Sequence, residues 1–316
     1  MSGGNETTGS GFVLLGLFPG LPHPGILMCL TVLSYVLALA ANTTLTVLIA
    51  LDARLHNPMY FLLSQLSLVD LLFISTTVPR MAADFFLGTK TISSSGCGTQ
   101  LFIYLALGGA ECLLLTCMAC DRYMAICRPL RYPVLMNRKT CLSMAVGSWA
   151  GGSLNSLVQT VYTMRLPKCG RLEIDHFFCE VMAVLRLSCG DTLTYRLTIL
   201  GVGIVLLLVP FGIIFTSYAV IFLTVLRVSS REGRRKALAT CSSHLVVVSL
   251  FYGPTVFIYM TPGSTHSPAQ EQAMSVFFAI VTPTLNPLVY SLRNRDVLEA
   301  LRKALRPTAL LSPKVP

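Results

Sequence analysis

Charged side chains are scarce in this chain: Asp, Glu, Lys and Arg make up 12% of its 316 residues. A soluble domain carries about 25%, enough to keep its surface in water. A soluble globule, a disordered tail and a collagen-like repeat are therefore excluded. What the chain has instead is 53% hydrophobic residues and a mean hydropathy of +0.68. The bilayer is its solvent.

Uncharged runs long enough to cross a 30 Å hydrocarbon layer, about 20 residues each, cover 25–51, 141–164, 197–226 and 273–292. Three more come close: 59–79 contains only Asp70, 97–120 contains only Glu111, and 237–260 holds His244 but no formal charge. The expectation is an all-α membrane protein with a seven-helix bundle over 25–292, an N-terminal segment 1–24, and a tail 293–316 that opens with a short amphipathic eighth helix. Pro210, Pro254, Pro283 and Pro287 fall inside runs, which a packed membrane bundle tolerates.

Orientation follows from the connecting segments. Residues 52–58, 121–140, 227–236 and 293–316 hold 17 of the 24 basic residues and five acids, whereas the alternate set holds seven of each. The first set is expected in the cytoplasm, which puts the amino terminus outside. That asymmetry, with attraction to anionic lipid, accounts for the net charge of +10 without nucleic acid as a partner. The amino-terminal stretch has no basic region or small-residue cleavage site, so the first helix reads as an uncleaved anchor. Asn5, in Asn5-Glu6-Thr7, is the expected glycosylation site. Asn42-Thr43-Thr44 fits the same pattern but is discounted because it lies within the first helix.

Four of the eleven cysteines, Cys97, Cys169, Cys179 and Cys189, fall on the expected outer side. An even number in an oxidising space suggests two disulfides with three possible connectivities. Cys97 sits at the top of the third helix and the others in the longest outer loop, so one bridge ties loop to helix and the other closes within the loop. The remaining seven read as small hydrophobes. No metal is expected.

On the third helix Tyr104, Gly108, Glu111, Leu115, Met118 and Arg122 share one stripe at 100° per residue. It runs from an aromatic ring past a small residue to a buried acid and a terminal arginine. This reads either as a pocket above and a switch below, or as close helix packing with a snorkelling arginine. An ionisable group at mid-membrane costs about 3 kcal/mol and marks a candidate site. Asp70 and Glu111 cannot both ionise cheaply in one bundle. With Asn286 they could hold a sodium-like cation or share a proton, or form a neutral hydrogen-bonded pair.

Four motifs then stand in order along the chain: Leu55-His56-Asn57-Pro58-Met59-Tyr60-Phe61; Met118-Ala119-Cys120-Asp121-Arg122-Tyr123-Met124-Ala125-Ile126-Cys127; Lys236-Ala237-Leu238-Ala239-Thr240-Cys241-Ser242-Ser243-His244; and Pro283-Thr284-Leu285-Asn286-Pro287-Leu288-Val289-Tyr290-Ser291-Leu292-Arg293-Asn294. With them the sequence resembles an olfactory receptor of the rhodopsin-like, G-protein-coupled class. Cys120 stands where that family usually has tyrosine, and Ala41 where it usually has glycine; neither removes a charged or switch residue.

The resemblance implies disulfides Cys97–Cys179 and Cys169–Cys189. It implies a switch of Asp121, Arg122 and Tyr123 with Tyr218 and His244 as partners, and Asn286, Pro287 and Tyr290 in the seventh helix. It also implies an odorant pocket in the outer half, for which the candidates are Tyr104, Leu105, Gly108, Gly109 and Cys112; Val202, Gly203 and Leu206; Tyr252, Thr255, Val256 and Tyr259; and Val276 and Ala279. No Asp or Lys occupies the Tyr104 turn, which favours a small, weakly polar, uncharged volatile. The implied function is receptor rather than enzyme: odorant binding shifts a two-state equilibrium that activates a stimulatory, olfactory-type G protein and raises cyclic AMP. The implied location is the plasma membrane, in the cilia of sensory neurons. A transporter or channel would show internal repeats and a polar track, and an intramembrane hydrolase would need a nucleophile motif; neither is seen.

Overall fold

The computed structural model describes residues 11–18, 20–189, 197–198, 201–227, 230–260, 267–292 and 294–305; Asn5 and the end of the tail lie outside them. Among the described residues six helices are long and apolar enough to cross a membrane: α1 (Pro24–Leu51), α2 (Pro58–Leu87), α3 (Ser94–Cys127), and further along the chain α7 (Gly201–Leu226), α8 (Arg231–Met260) and α9 (Pro268–Leu292). Between the third and fourth of these come the single turn α4 (Tyr132–Leu135), α5 (Arg138–Arg165) and the short α6 (Val181–Leu185). The 28-residue α5 is the expected seventh span but is not apolar enough to count with the six. Its buried face is small and polar: Ser148, Gly152, Ser156, Thr160 and Thr163. Those residues let it approach α3 closely. A Cβ on Gly109 would lie 2.9 Å from the Gly152 Cα, and the Ser156 hydroxyl donates to the Phe102 carbonyl at 2.5 Å.

Local chemistry sets the helix ends. Asn57 caps α2 by accepting from the Tyr60 amide, with Pro58 at the first position, and Gly88 ends it in the left-handed region at φ 70°. Ser93 caps α3 and Asn137 caps α5. Ser267 and Gln270 form a reciprocal capping box on α9. Each cap satisfies amides that the first turn leaves without partners.

The fold is not purely helical. A three-stranded sheet lies at the end that carries the disulfides: β1 (Gly11–Leu14) is central, antiparallel to β2 (Thr91–Ser93) and parallel to β3 (Glu173–Ile174). Phe12, Leu14, Ile92 and Ile174 pack there with Cys97 and Cys179. Both disulfides are formed, Cys97–Cys179 and Cys169–Cys189. At the other end α10 (Arg295–Leu305) follows α9 and buries Val297 and Ala300. It is pinned by Arg54–Glu299 at 3.2 Å and by the Tyr60 hydroxyl, which donates to Asn294 at 3.0 Å.

Three interior prolines show how the bundle repairs its own backbone. Proline has no N–H, so it leaves the carbonyl four residues earlier without its helical donor. Pro287 frees the Pro283 carbonyl, and the Asn42 amide of α1 donates to it at 3.0 Å. Pro254 frees the Leu250 carbonyl, and the Thr282 hydroxyl of α9 reaches it at 3.2 Å. Pro210 frees the Leu206 carbonyl, and the Cys112 thiol of α3 donates to it at 3.0 Å. In each case the donor comes from a neighbouring helix, as the lack of water requires.

Candidate functional site

The central polar site is built by α2, α3 and α9. Asp70, Glu111 and Asn286 are each 1% exposed. The Asn286 amide donates to both Asp70 oxygens, at 3.1 and 3.2 Å, and lies 3.4 Å from Glu111 Oε1. The three residues named from sequence are therefore together. Asn286 Oδ1 has no partner among the described residues. Two carboxyl groups and a free amide oxygen make an oxygen-only donor set, the kind that suits a hard cation or a shared proton. Asn42, which is fully buried, is also tied into α9, so its sequon offers no exposed amide.

Towards the disulfide end, Tyr104 sits in an aromatic cluster, with ring centroids 4.7 Å from Phe73 and 4.6 Å from Phe178. Gly108 faces the same cluster: a Cβ there would be 3.7 Å from Phe73 and 3.8 Å from Phe278. Cys112 meets the Tyr252 hydroxyl at 3.2 Å as well as the Leu206 carbonyl, which joins α3, α7 and α8. Ala279 is fully buried, and Leu105, Val256 and Val276 pack partly buried against the core. Tyr259 packs with Leu101, Val181 and Leu185. Thr255 returns its hydroxyl to the Phe251 carbonyl of its own helix. Leu206 and Val202 are half-buried on α7.

Two of the expected lining residues have close neighbours of their own: Gly109 lies against Gly152 of α5, where it allows the two backbones to touch, and Gly203 lies against the Met260 side chain. A cavity of about 320 Å³ at this end lies beside the expected lining, between Leu15, Leu17, Met28, Met81, Phe85 and Phe177; none of the predicted ligand residues lines it.

The opposite end holds a cavity of about 1070 Å³, whose walls include the expected switch residues Asp121, Arg122 and Tyr290 together with Tyr132 and Arg235. Asp121 accepts a bond from the Tyr132 hydroxyl at 2.8 Å. Arg122 makes no ion pair within 4.0 Å among the described residues. Tyr218 and His244 join α7 to α8 through a 2.8 Å bond between the hydroxyl and Nδ1, with the rings stacked at 5.6 Å. Tyr123 packs partly buried against the core, and the buried Tyr290 hydroxyl has no partner among the described residues. Cys117 and Cys120 are spaced Cys-x-x-Cys, but no group of three potential metal ligands occurs among the described residues.

Sequence reasoning missed the loop before α6. His176 and Glu180 are 3% exposed. Glu180 Oε2 caps α6 by accepting from the amides of Met182 at 2.7 Å and Ala183 at 2.9 Å. Burial pushes its carboxyl up to about 7 and the His176 imidazole down to about 3, since desolvation disfavours each charged form. Gln100 of α3 accepts from the Cys179 amide at 3.0 Å, and Gln272 of α9 donates to Asp175 while accepting from Phe18. Arg186 pairs with Glu271. The loop is thus sewn to α3 and α9. The only signal in the sequence was Cys179 itself.

The olfactory receptor family model matches residues 30–307. Human olfactory receptor 2AJ1 is 48% identical over 96% of this chain and 92% of its own length. Human olfactory receptor 2T2 is 52% identical over 93% of this chain and 91% of its own length. Human olfactory receptor 2T27 is 50% identical over 96% of each chain. With its six apolar helices, its motifs and relatives matched over more than nine-tenths of its length, this multi-pass membrane chain belongs to the olfactory receptor family.

Proposed function

We propose that this receptor binds small, mostly apolar volatile odorants in the half of the bundle beneath the disulfide-pinned loop, and answers by activating a stimulatory, olfactory-type G protein that raises cyclic AMP. One observation carries the reading. Helix α3 links two different environments: the aromatic and thiol contacts of Tyr104 and Cys112 near one end, and the wide cavity walled by Arg122 at the other. An odorant that prefers one packing of α3 against α7 and α8 shifts the equilibrium by its difference in affinity between the two packings. The Tyr218–His244 bond holds the resting packing; when α8 tilts, the bond opens and Arg122 meets Tyr218 and a G-protein tail. The basic side chains of Arg227, Arg231, Arg234 and Arg235 face the cytoplasm and steer the partner or touch anionic lipid. The disulfide end faces outside with Asn5 glycosylated, α10 lies along the inner lipid surface, and the receptor works in the ciliary membrane.

The experiment is a panel of volatiles on cells carrying a cyclic-AMP reporter, with wild-type and Arg122→Ala receptors matched for surface level. Loss of the odorant response in Arg122→Ala is expected. A full response without Arg122 overturns the switch.

A second reading concerns Asp70, Glu111 and Asn286, whose oxygens fit a sodium ion that favours the resting packing. Raising sodium is expected to raise the melting temperature of the purified wild-type receptor and to leave Asp70→Asn unmoved. Equal melting with and without sodium rules out the ion and leaves a shared proton or a neutral hydrogen-bonded pair.

A further inference from the structure

Several buried polar atoms at the disulfide end have no partner among the described residues, the two ring nitrogens of His176 among them. The Tyr104 hydroxyl and Oε1 of Glu180 each lack a partner among the described residues, although Tyr104 is 2% and Glu180 3% exposed. Buried polar groups are nearly always paired, so each exception calls for a reason.

The two groups share one neighbourhood. Glu180 follows Cys179, which is bonded to Cys97 of α3. It precedes Val181, which packs with Leu101, Leu105 and Tyr259. The Tyr104 ring touches Phe178, two residues before Glu180, and the Glu180 carboxyl acts electrostatically on Tyr104. Leu105, Tyr104 and Tyr259 all belong to the proposed odorant lining. The division of labour within the carboxyl is clear: Oε2 holds the first turn of α6, and Oε1 is left over. Arg186, the nearby cation, is occupied by Glu271.

We propose that Tyr104 and Glu180 form the polar end of the odorant site and select volatile alcohols, aliphatic or phenolic. This rests on the odorant reading above and names its ligand class. A hydroxyl both donates and accepts, so it satisfies both groups whichever of them carries the proton. A methyl ether only accepts. A carboxylate ligand would meet a second acid in a dry site. An ammonium only donates, so it cannot accept the Tyr104 hydroxyl proton.

The test compares alcohols with the methyl ethers, amines and carboxylic acids of the same skeletons, as dose-responses in the cyclic-AMP reporter. Wild type is compared with Tyr104→Phe and Glu180→Ser, each checked for surface level. Serine keeps an oxygen for the α6 cap and withdraws the free one. Wild type is expected to prefer each alcohol over its methyl ether by about tenfold, the worth of one hydrogen bond to a buried polar group. Glu180→Ser should erase that ratio, because it withdraws the acceptor that an ether cannot use, and Tyr104→Phe should weaken alcohol and ether together; a merely structural role of Glu180 would leave the ratio unchanged. If Glu180→Ser fails to reach the surface, Glu180→Gln, whose amide can donate to an ether, decides by lowering the ratio. An alcohol-to-ether ratio that survives in the Glu180 variant overturns the proposal, as does a wild-type preference for amines or acids. A receptor that reaches the surface and answers no volatile overturns the odorant reading itself, and the proposal with it.

Discussion

Burial has opposite consequences for two neighbouring residues. The His176 ring is held neutral down to about 3, while in the unfolded chain it takes a proton below its ordinary value of 6.5. The unfolded state binds more protons there, so His176 costs stability as pH falls from about 6.5 towards 3. Glu180 works the other way. Its carboxyl stays protonated to about 7 in the fold but ionises near 4.5 when unfolded, so it costs stability as pH rises through that window and reaches its full cost above it. Melting the purified receptor between about pH 5 and pH 8 separates the two effects. His176→Phe is expected to gain on wild type towards the acid end, and Glu180→Gln towards the neutral end. Parallel curves for all three proteins would show that neither group is buried in solution. Neither residue stood out in the sequence, because the disulfide and the Gln100 contact that bury this loop join positions 82 and 79 residues apart.

Among the elements, the helices themselves were readable, since uncharged length is a direct consequence of the solvent. Their ends were less so. α2 runs to Leu87, past Asp84; α3 runs from Ser94 to Cys127; and α8 starts at Arg231. Helices continue beyond the hydrocarbon wherever charged ends can reach the interface. α5 was read from its lack of charge, yet its serines, threonines and glycines serve contact with α3 rather than lipid. The sheet was missed because β1 is only four residues long and has no partner nearby in sequence. The cross-helix donors to the proline-freed carbonyls were within reach of sequence reasoning only as a need: Pro287 announces that Pro283 requires a donor, but not that α1 supplies it. Asn42→Ala removes that donor from a fully buried site and also a 3.0 Å bond to Ala38. The expected cost is about 1–3 kcal/mol, measured as earlier melting of the purified receptor. Unchanged melting would mean that water reaches the Pro283 carbonyl.

For the whole molecule, the distribution of charge makes the most exposed prediction. Seventeen basic residues lie in one set of loops and seven in the other, so tags placed before Met1 and after Pro316 should stain on opposite faces of intact cells. That outcome requires α5 to cross despite its polar face; tags on the same face would mean that it does not. The site residues named from sequence divide along similar lines. Those at mid-bundle, Asp70, Glu111 and Asn286, assemble as expected because burial of an acid leaves few alternatives. Those of the expected lining are sorted only by packing, which sends Gly109 to α5 and Gly203 beneath Met260. The proline repairs extend this to motion. The carbonyl freed by each of these prolines in α7, α8 and α9 is held by a side chain belonging to α3, α9 or α1, so a helix cannot flex at its proline without tugging on its neighbour. Movement started anywhere in the bundle is handed on from helix to helix.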